Sequence, residues 1–311
     1  MESFFDFYKL QRSTTDITDK FKKGSTNKIC KFCNDTYPNV SFETAPHIVP
    51  ELFGRNKLTS NFECDTCNQK FQKFESDTST MIQHYLALLN IKTKNRVPIF
   101  QSKKNSEEHS TTLKTINNNR NLNFGTNKSD FEFNEEEKLL IVKFRTRKFR
   151  PYSVYKIFLK MGISLLDEDE LKENNHYIEF LNSEEPIMNG MQIWTTYRYT
   201  LKTKYNPTPI IDLYKAKKTI INGTVFPEYV VLINFANIIF QFFMPISKKN
   251  IDEHKEENSL RLELFPSFIL DNPKRTNEIL MHYFNLNETD KISITDKVIL
   301  QYESRESREP S

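Results

Sequence analysis

Apolar and polar positions follow two different patterns along this chain, and the change falls near residue 131. Beyond it, the runs 138–144 (KLLIVKF), 191–201 (MQIWTTYRYTL) and 228–235 (EYVVLINF) are rich in β-branched and aromatic residues and predict strands. Residues 153–166 show helical spacing instead, with Val154, Ile157, Met161 and Leu165 on one stripe and Lys156 and Lys160 off it. A second helix is expected to start near Pro273 and to cover NEILMHYF at 277–284. Ahead of this part, residues 102–130 are polar, Asn-rich and without apolar periodicity, the pattern of a linker or long loop.

These patterns predict an α+β chain in pieces: 1–100 with a core motif at 28–80, a flexible linker at 101–130, an α+β domain at 131–303, and a disordered charged tail at 304–311. A hydrophobic fraction of 37%, with 13% aromatic residues, is enough for a buried core. The longest apolar stretch, 229–244, is interrupted by Asn234, Asn237 and Gln241 and is too short to span a bilayer. The first residues lack a basic start followed by an apolar run, so a cytoplasmic protein without membrane contact is expected. With 44 Lys+Arg against 41 Asp+Glu, bulk electrostatic binding is excluded. The net charge of +3 sits in the first hundred residues, and the remainder sums to zero.

All four cysteines form two CxxC pairs, Cys30–Cys33 and Cys64–Cys67, separated by 30 residues. Such pairs supply the tetrahedral thiolate set of a structural zinc, a closed site with no coordination position for substrate, against the blander reading of four unconnected buried or redox thiols. Chemistry must therefore come from residues between and after the pairs. Apolar residues around His47 suggest a strand ending at Pro50, with Phe53-Gly54 in a loop, a short strand at 58–63 and a helix at 67–89. That is a ββα arrangement in which His47 faces a helix start carrying Asn68.

CKFC, then PHIVP with a Gly four residues later, then NFECDTCN resembles the zinc-stabilised HNH endonuclease family with its ββα-metal fold, over residues 28 to about 80. The resemblance implies His47 as general base, Asn61 as the middle Asn that braces the loop, and Asn68 as the residue that binds a catalytic Mg2+ or Mn2+. It also implies products with a 5′-phosphate and a 3′-hydroxyl. The sequence departs from the family at Pro46, where many members carry a further metal ligand. A single Asn can suffice for a largely hydrated Mg2+. Gln72 and Glu75 share the helix face of Asn68, so Glu75 is a candidate second ligand, against its reading as a solvated surface carboxylate. Glu43, Glu51 and Asp65 are weaker candidates.

Arg55 and Lys57, in the loop, either grip phosphates or are ordinary solvated charges. In the run 143–150, five cations interleave with Phe144 and Phe149, a pattern that fits a nucleic-acid track but better fits a half-buried strand. Trp194, Tyr197 and Tyr199 are expected in the core. The functional expectation is a metal-dependent DNA endonuclease, with RNA as a further possible substrate. By fold-level analogy, it acts as a regulated effector in antiviral or anti-plasmid defence, controlled through 131–303 by a protein partner, a small-molecule activator or self-association. The alternative is a zinc-stabilised nucleic-acid binding module with a decayed active site.

Overall fold

The central strands of the largest sheet carry apolar side chains on both faces, and this dictates what surrounds them. The computed structural model describes residues 3–17, 28–103, 110–116, 119–124, 128–188, 192–201, 206–221, 224–252, 267–268 and 279–303. The chain forms two compact units, Met1–Thr78 with Arg150–Asp290, and Ser79–Phe149 with Lys291–Ser311.

In the first unit a six-stranded antiparallel sheet runs in the order Tyr8–Ser13, Asn206–Ala216, Tyr229–Ala236, Ile238–Phe243, Thr195–Leu201, Ile279–Asn285. Nearly every residue of Tyr229–Ala236 and Ile238–Phe243 is buried, because both faces are covered. One face takes Phe4, Phe7 and Tyr8 against Val230, Leu232 and Phe243. The other takes the Pro151–Leu165 helix, whose Phe158 ring lies 5.3 Å from Phe240 and 5.7 Å from Phe242. Pro151 opens this helix where a missing N–H costs nothing. All its residues are buried, including Lys156 and Lys160, so it is enclosed all round and the expected apolar stripe is only part of its packed surface. Tyr197 and Tyr199 are core residues.

Gly162 marks the tightest approach in this helix. A methyl group there would meet Met244 Sδ and Val231 Cγ2, both at 2.9 Å. Gly162→Ala gains about 1 kcal/mol of helix propensity but overpacks the site at about 1–3 kcal/mol. A lowered urea midpoint is the expected result, and a raised one would show that Met244 moves aside freely.

The second unit holds two small antiparallel sheets. One orders Thr295–Gln301, Leu139–Arg145 and Phe131–Asn134; the other Phe100–Gln101, Thr112–Ile116 and Asn119–Asn123. Their apolar faces meet around Ala87, Phe100, Leu113, Val142 and Phe144. Phe144 is buried while its neighbour Arg145 is exposed, the alternation of a half-buried strand.

The mixed α+β class expected from sequence is what the chain adopts, with its later part mostly strands. Three details differ. Residues 279–285 form a strand, not a helix, because pairing with Thr195–Leu201 from Ile279↔Leu201 to Asn285↔Thr195 overrides local preference. Part of the segment expected as a linker forms the Thr112–Ile116 and Asn119–Asn123 hairpin, whose backbone pairing does not depend on its polar side chains. Each unit is also built from two separate stretches of chain, whereas the expected divisions followed sequence order. The expected tail, 304–311, lies outside the described residues. Among the described residues no helix is long and apolar enough to cross a membrane.

Candidate active site and zinc cluster

Residues 28–64 contain almost no regular structure, so local hydrogen bonds and cysteine geometry hold the segment. The first CxxC turn is closed by the Ile29↔Thr36 bridge and by Asn34 N–H donating to Cys30 O at 2.8 Å. Asn34 takes φ 61, a left-handed conformation that Asn tolerates. The second pair sits at the start of the Asp65–Leu88 helix, where Asn68 N–H donates to Cys64 O at 2.9 Å. Lys31 N–H donates to Phe62 O at 2.8 Å and ties the two turns together.

The four sulfurs lie within 4.8 Å of one another, with Cys33 Sγ 3.8 Å from Cys64 Sγ. Tetrahedral Zn–S bonds of about 2.3 Å require sulfur separations of about 3.8 Å, so the set fits zinc. Cys64 N–H points at Cys30 Sγ, and Cys67 N–H at Cys64 Sγ, both at 3.4 Å. A hydrogen bond from Cys67 lowers the Cys30 thiol to about 5, whereas burial raises Cys33 and Cys64 and the bond with Cys30 raises Cys67, so four thiolates side by side call for a cation between them.

His47 is fixed by the return of the chain. The His47↔Thr59 bridge is flanked by Ile48 N–H to Leu58 O at 2.9 Å and Ser60 N–H to Pro46 O at 2.7 Å. Between them, Glu51–Phe53 forms a 3-10 turn and Gly54 takes φ 136, where a side chain would be strained. Phe53 packs 5.2 Å from Phe235 and anchors the loop on the sheet.

Asn56 organises this loop. Its Nδ2 donates to Val49 O at 3.0 Å and to Gly54 O at 3.1 Å, while its Oδ1 accepts from Leu58 N–H at 3.0 Å. Those bonds set the orientation of the amide, so the oxygen that lies 3.3 Å from His47 Nδ1 accepts from that ring nitrogen. Nδ1 then carries the proton and Nε2 is the basic nitrogen. Nε2 lies 3.8 Å from Glu51 Oε2, and the imidazole is half-buried.

Asn56 thus makes loop-bracing hydrogen bonds of the kind expected of Asn61. Asn61 lies beyond the Thr59 return and lines a separate cavity of about 330 Å3 with Arg12 and Asp167. Asn56 is the one Asn between positions 47 and 59, and its Asx-turn bond to Leu58 is the signal that could have found it. Asn56→Ala leaves Val49 O, Gly54 O and Leu58 N–H without this partner, at about 1–3 kcal/mol for a buried group so exposed. A larger fall in melting temperature than for Asn61→Ala is expected, and the reverse ranking would overturn the assignment.

Asn68 donates through Nδ2 to Thr44 Oγ1 at 3.3 Å, and its Oδ1 makes no hydrogen bond among the described residues. Glu75, on the same helix face, is half-buried and not a solvated surface group. Burial raises its carboxyl above the ordinary range, with Lys160 and His47 acting against the rise. Asp65 is already engaged, accepting from Glu43 N–H and Thr44 N–H at 2.9 Å and from Ser41 Oγ at 2.5 Å. Burial is the largest single influence and pushes the carboxyl up, but the bonds from Glu43, Ser41 and Thr44 together outweigh it and hold the group at about 2, the environment of a structural carboxylate at a helix start. Among the described residues the four cysteines form the only cluster of three or more His, Cys, Asp or Glu ligands.

Arg55 and Lys57 are exposed and line a cleft of about 790 Å3 with Asn56, Thr14 and Thr208. One residue seen in the sequence only as a break in an apolar stripe also reaches this site. Lys160, from the Pro151–Leu165 helix, donates to His47 O at 3.0 Å and lies 3.0 Å from Glu63 Oε2.

Residues 30–83 match the HNH endonuclease family, a stretch that contains both cysteine pairs, His47, Asn56, Asn68 and Glu75. This domain supports a nuclease acting on nucleic acid, with a possible zinc site in the four-cysteine cluster. No curated protein and no solved structure matches the chain.

Proposed function

We propose that the chain is a metal-dependent endonuclease that hydrolyses DNA phosphodiester bonds, with His47 as general base. The observation that carries this reading is the Asn56 bond to Nδ1, which leaves Nε2 available to take a proton. In the proposed step, His47 Nε2 removes a proton from water as the water oxygen bonds to phosphorus. The P–O3′ bond breaks, its electron pair stays on the 3′ oxygen, and that oxygen is protonated by solvent. The products are a 5′-phosphate and a 3′-hydroxyl.

Asn68 Oδ1, uncommitted to hydrogen bonds, and the half-buried Glu75 fit a hydrated divalent cation. Mg2+ or Mn2+ bound there would offset charge growing on the phosphate and the leaving oxygen. Arg55 and Lys57 would hold phosphates flanking the cut, from the cleft they line. Zinc at Cys30, Cys33, Cys64 and Cys67 would be structural.

The balanced charge of 44 against 41 gives little intrinsic grip on DNA, which motivates the further reading of a recruited or activated effector in anti-phage or anti-plasmid defence. Its control would pass through residues in 131–303, by a protein partner, a small ligand or self-association. The test is incubation of the purified zinc-loaded protein with plasmid DNA and Mg2+ or Mn2+. Nicked or linear product that disappears on metal chelation is expected. Binding without cleavage of DNA or RNA under all metals would favour the alternative, a zinc-stabilised binding module, for which Pro46 is the motivating residue.

A further inference from the structure

Lys160 is buried to 1 % exposure and Glu63, its partner, to 0 %. Removing two charges from water costs several kcal/mol per ion, and pairing them returns this only with good geometry. Here the geometry is divided. Nζ approaches Glu63 Oε2 at ion-pair distance, but its aligned hydrogen bond goes to His47 O, and neither Glu63 oxygen has a hydrogen-bond partner among the described residues. Nζ also lies 5.3 Å from the centre of the Phe71 ring. Lysine carries three protons, so its contact with Glu63 leaves others for a second task. Lys160 directs a proton at the backbone of the proposed general base and sits where Glu75 also senses its charge.

Resting on the nuclease reading above, we propose that Lys160 is a positioning residue for the reaction. Its ammonium holds the His47 carbonyl, so the Pro151–Leu165 helix, remote in sequence, sets the place of the imidazole relative to Asn68 and Glu75. The region after residue 150 is then part of the catalytic apparatus and not only a sensor attached to it. Misplacement of a reacting group by about 1 Å can cost about 10²-fold in rate.

Three zinc-loaded full-length proteins test this: the wild type, Lys160→Met, and Lys160→Met combined with Glu63→Gln. Plasmid nicking is followed for kcat and KM, with zinc content and thermal unfolding measured alongside. Lys160→Met alone strands a buried carboxylate and is expected to lower the melting temperature. The double variant removes both charges, so it is expected to regain stability and zinc yet to remain about 10²-fold slower in kcat, with KM within a few-fold of wild type. A folded double variant that cuts at the wild-type rate would overturn the proposal, since Lys160 would then matter only as the counter-charge of Glu63. If the wild type itself cuts no nucleic acid with any metal, the nuclease reading falls and this inference falls with it.

Discussion

Cys64→Ser is expected to abolish zinc retention and to unfold the segment that carries the candidate active site. Cys64 is buried, lies 3.8 Å from Cys33 Sγ and accepts the Cys67 N–H, so its loss opens both turns at once. Regular secondary structure contributes little here, and the Asn56 bonds and the buried Phe53 hold only the loop after His47. Between residues 28 and 64 the described chain has the Ile29↔Thr36 and His47↔Thr59 bridges and one 3-10 turn. Structural zinc contributes about 10–16 kcal/mol in small fragments, comparable to or larger than the whole stability of a domain at about 5–15 kcal/mol. Metal analysis and thermal unfolding of the purified variant check this. A Cys64→Ser protein with full zinc content and an unchanged melting temperature would show that the four thiols do not form a cohesive metal site.

His47→Ala is expected to lower kcat for plasmid cleavage by about 10²–10⁴-fold, the usual worth of a positioned base. The fold should tolerate it. The imidazole is half-buried and contributes one side-chain hydrogen bond, while Lys160 and the strand-like pairing engage the His47 backbone, which alanine keeps. Zinc content and melting temperature should stay close to those of the wild type, so the loss of rate separates chemistry from folding. KM should change little, because a base acts in the transition state and not in ground-state binding. Cleavage that survives both His47→Ala and Asn68→Ala would place the chemistry elsewhere.

The parts of this protein that were legible in its sequence are those decided by short-range rules. Two CxxC pairs announce a four-thiolate cluster because each turn fixes its own two sulfurs. The Pro151–Leu165 helix announces itself through the spacing of Val154, Ile157, Met161 and Leu165. Where the outcome depends on a distant partner, local pattern fails. ILMHYF is nearly all apolar and has neither period, so only the neighbouring Thr195–Leu201 strand decides its state. Asn56 and Asn61 are both polar residues near a return strand, and the Thr59 bridge, which decides which of them lies inside the loop, is invisible without the fold. Lys160 is legible only as an interruption of an apolar run, because the three groups it meets lie about 90–110 residues earlier.

The pairing of Tyr8–Ser13 with Asn206–Ala216 has a consequence for how the molecule is made. The first strand of the sheet leaves the ribosome long before its partner exists. At about 5–20 residues per second, it waits roughly 10–40 s. The cysteine-bearing segment waits as well for the Pro151–Leu165 helix that covers Phe53 and supplies Lys160. A nascent chain can thus load zinc early and still lack the groups that seat His47. The order of synthesis itself holds back the proposed activity until the Pro151–Leu165 helix has left the tunnel.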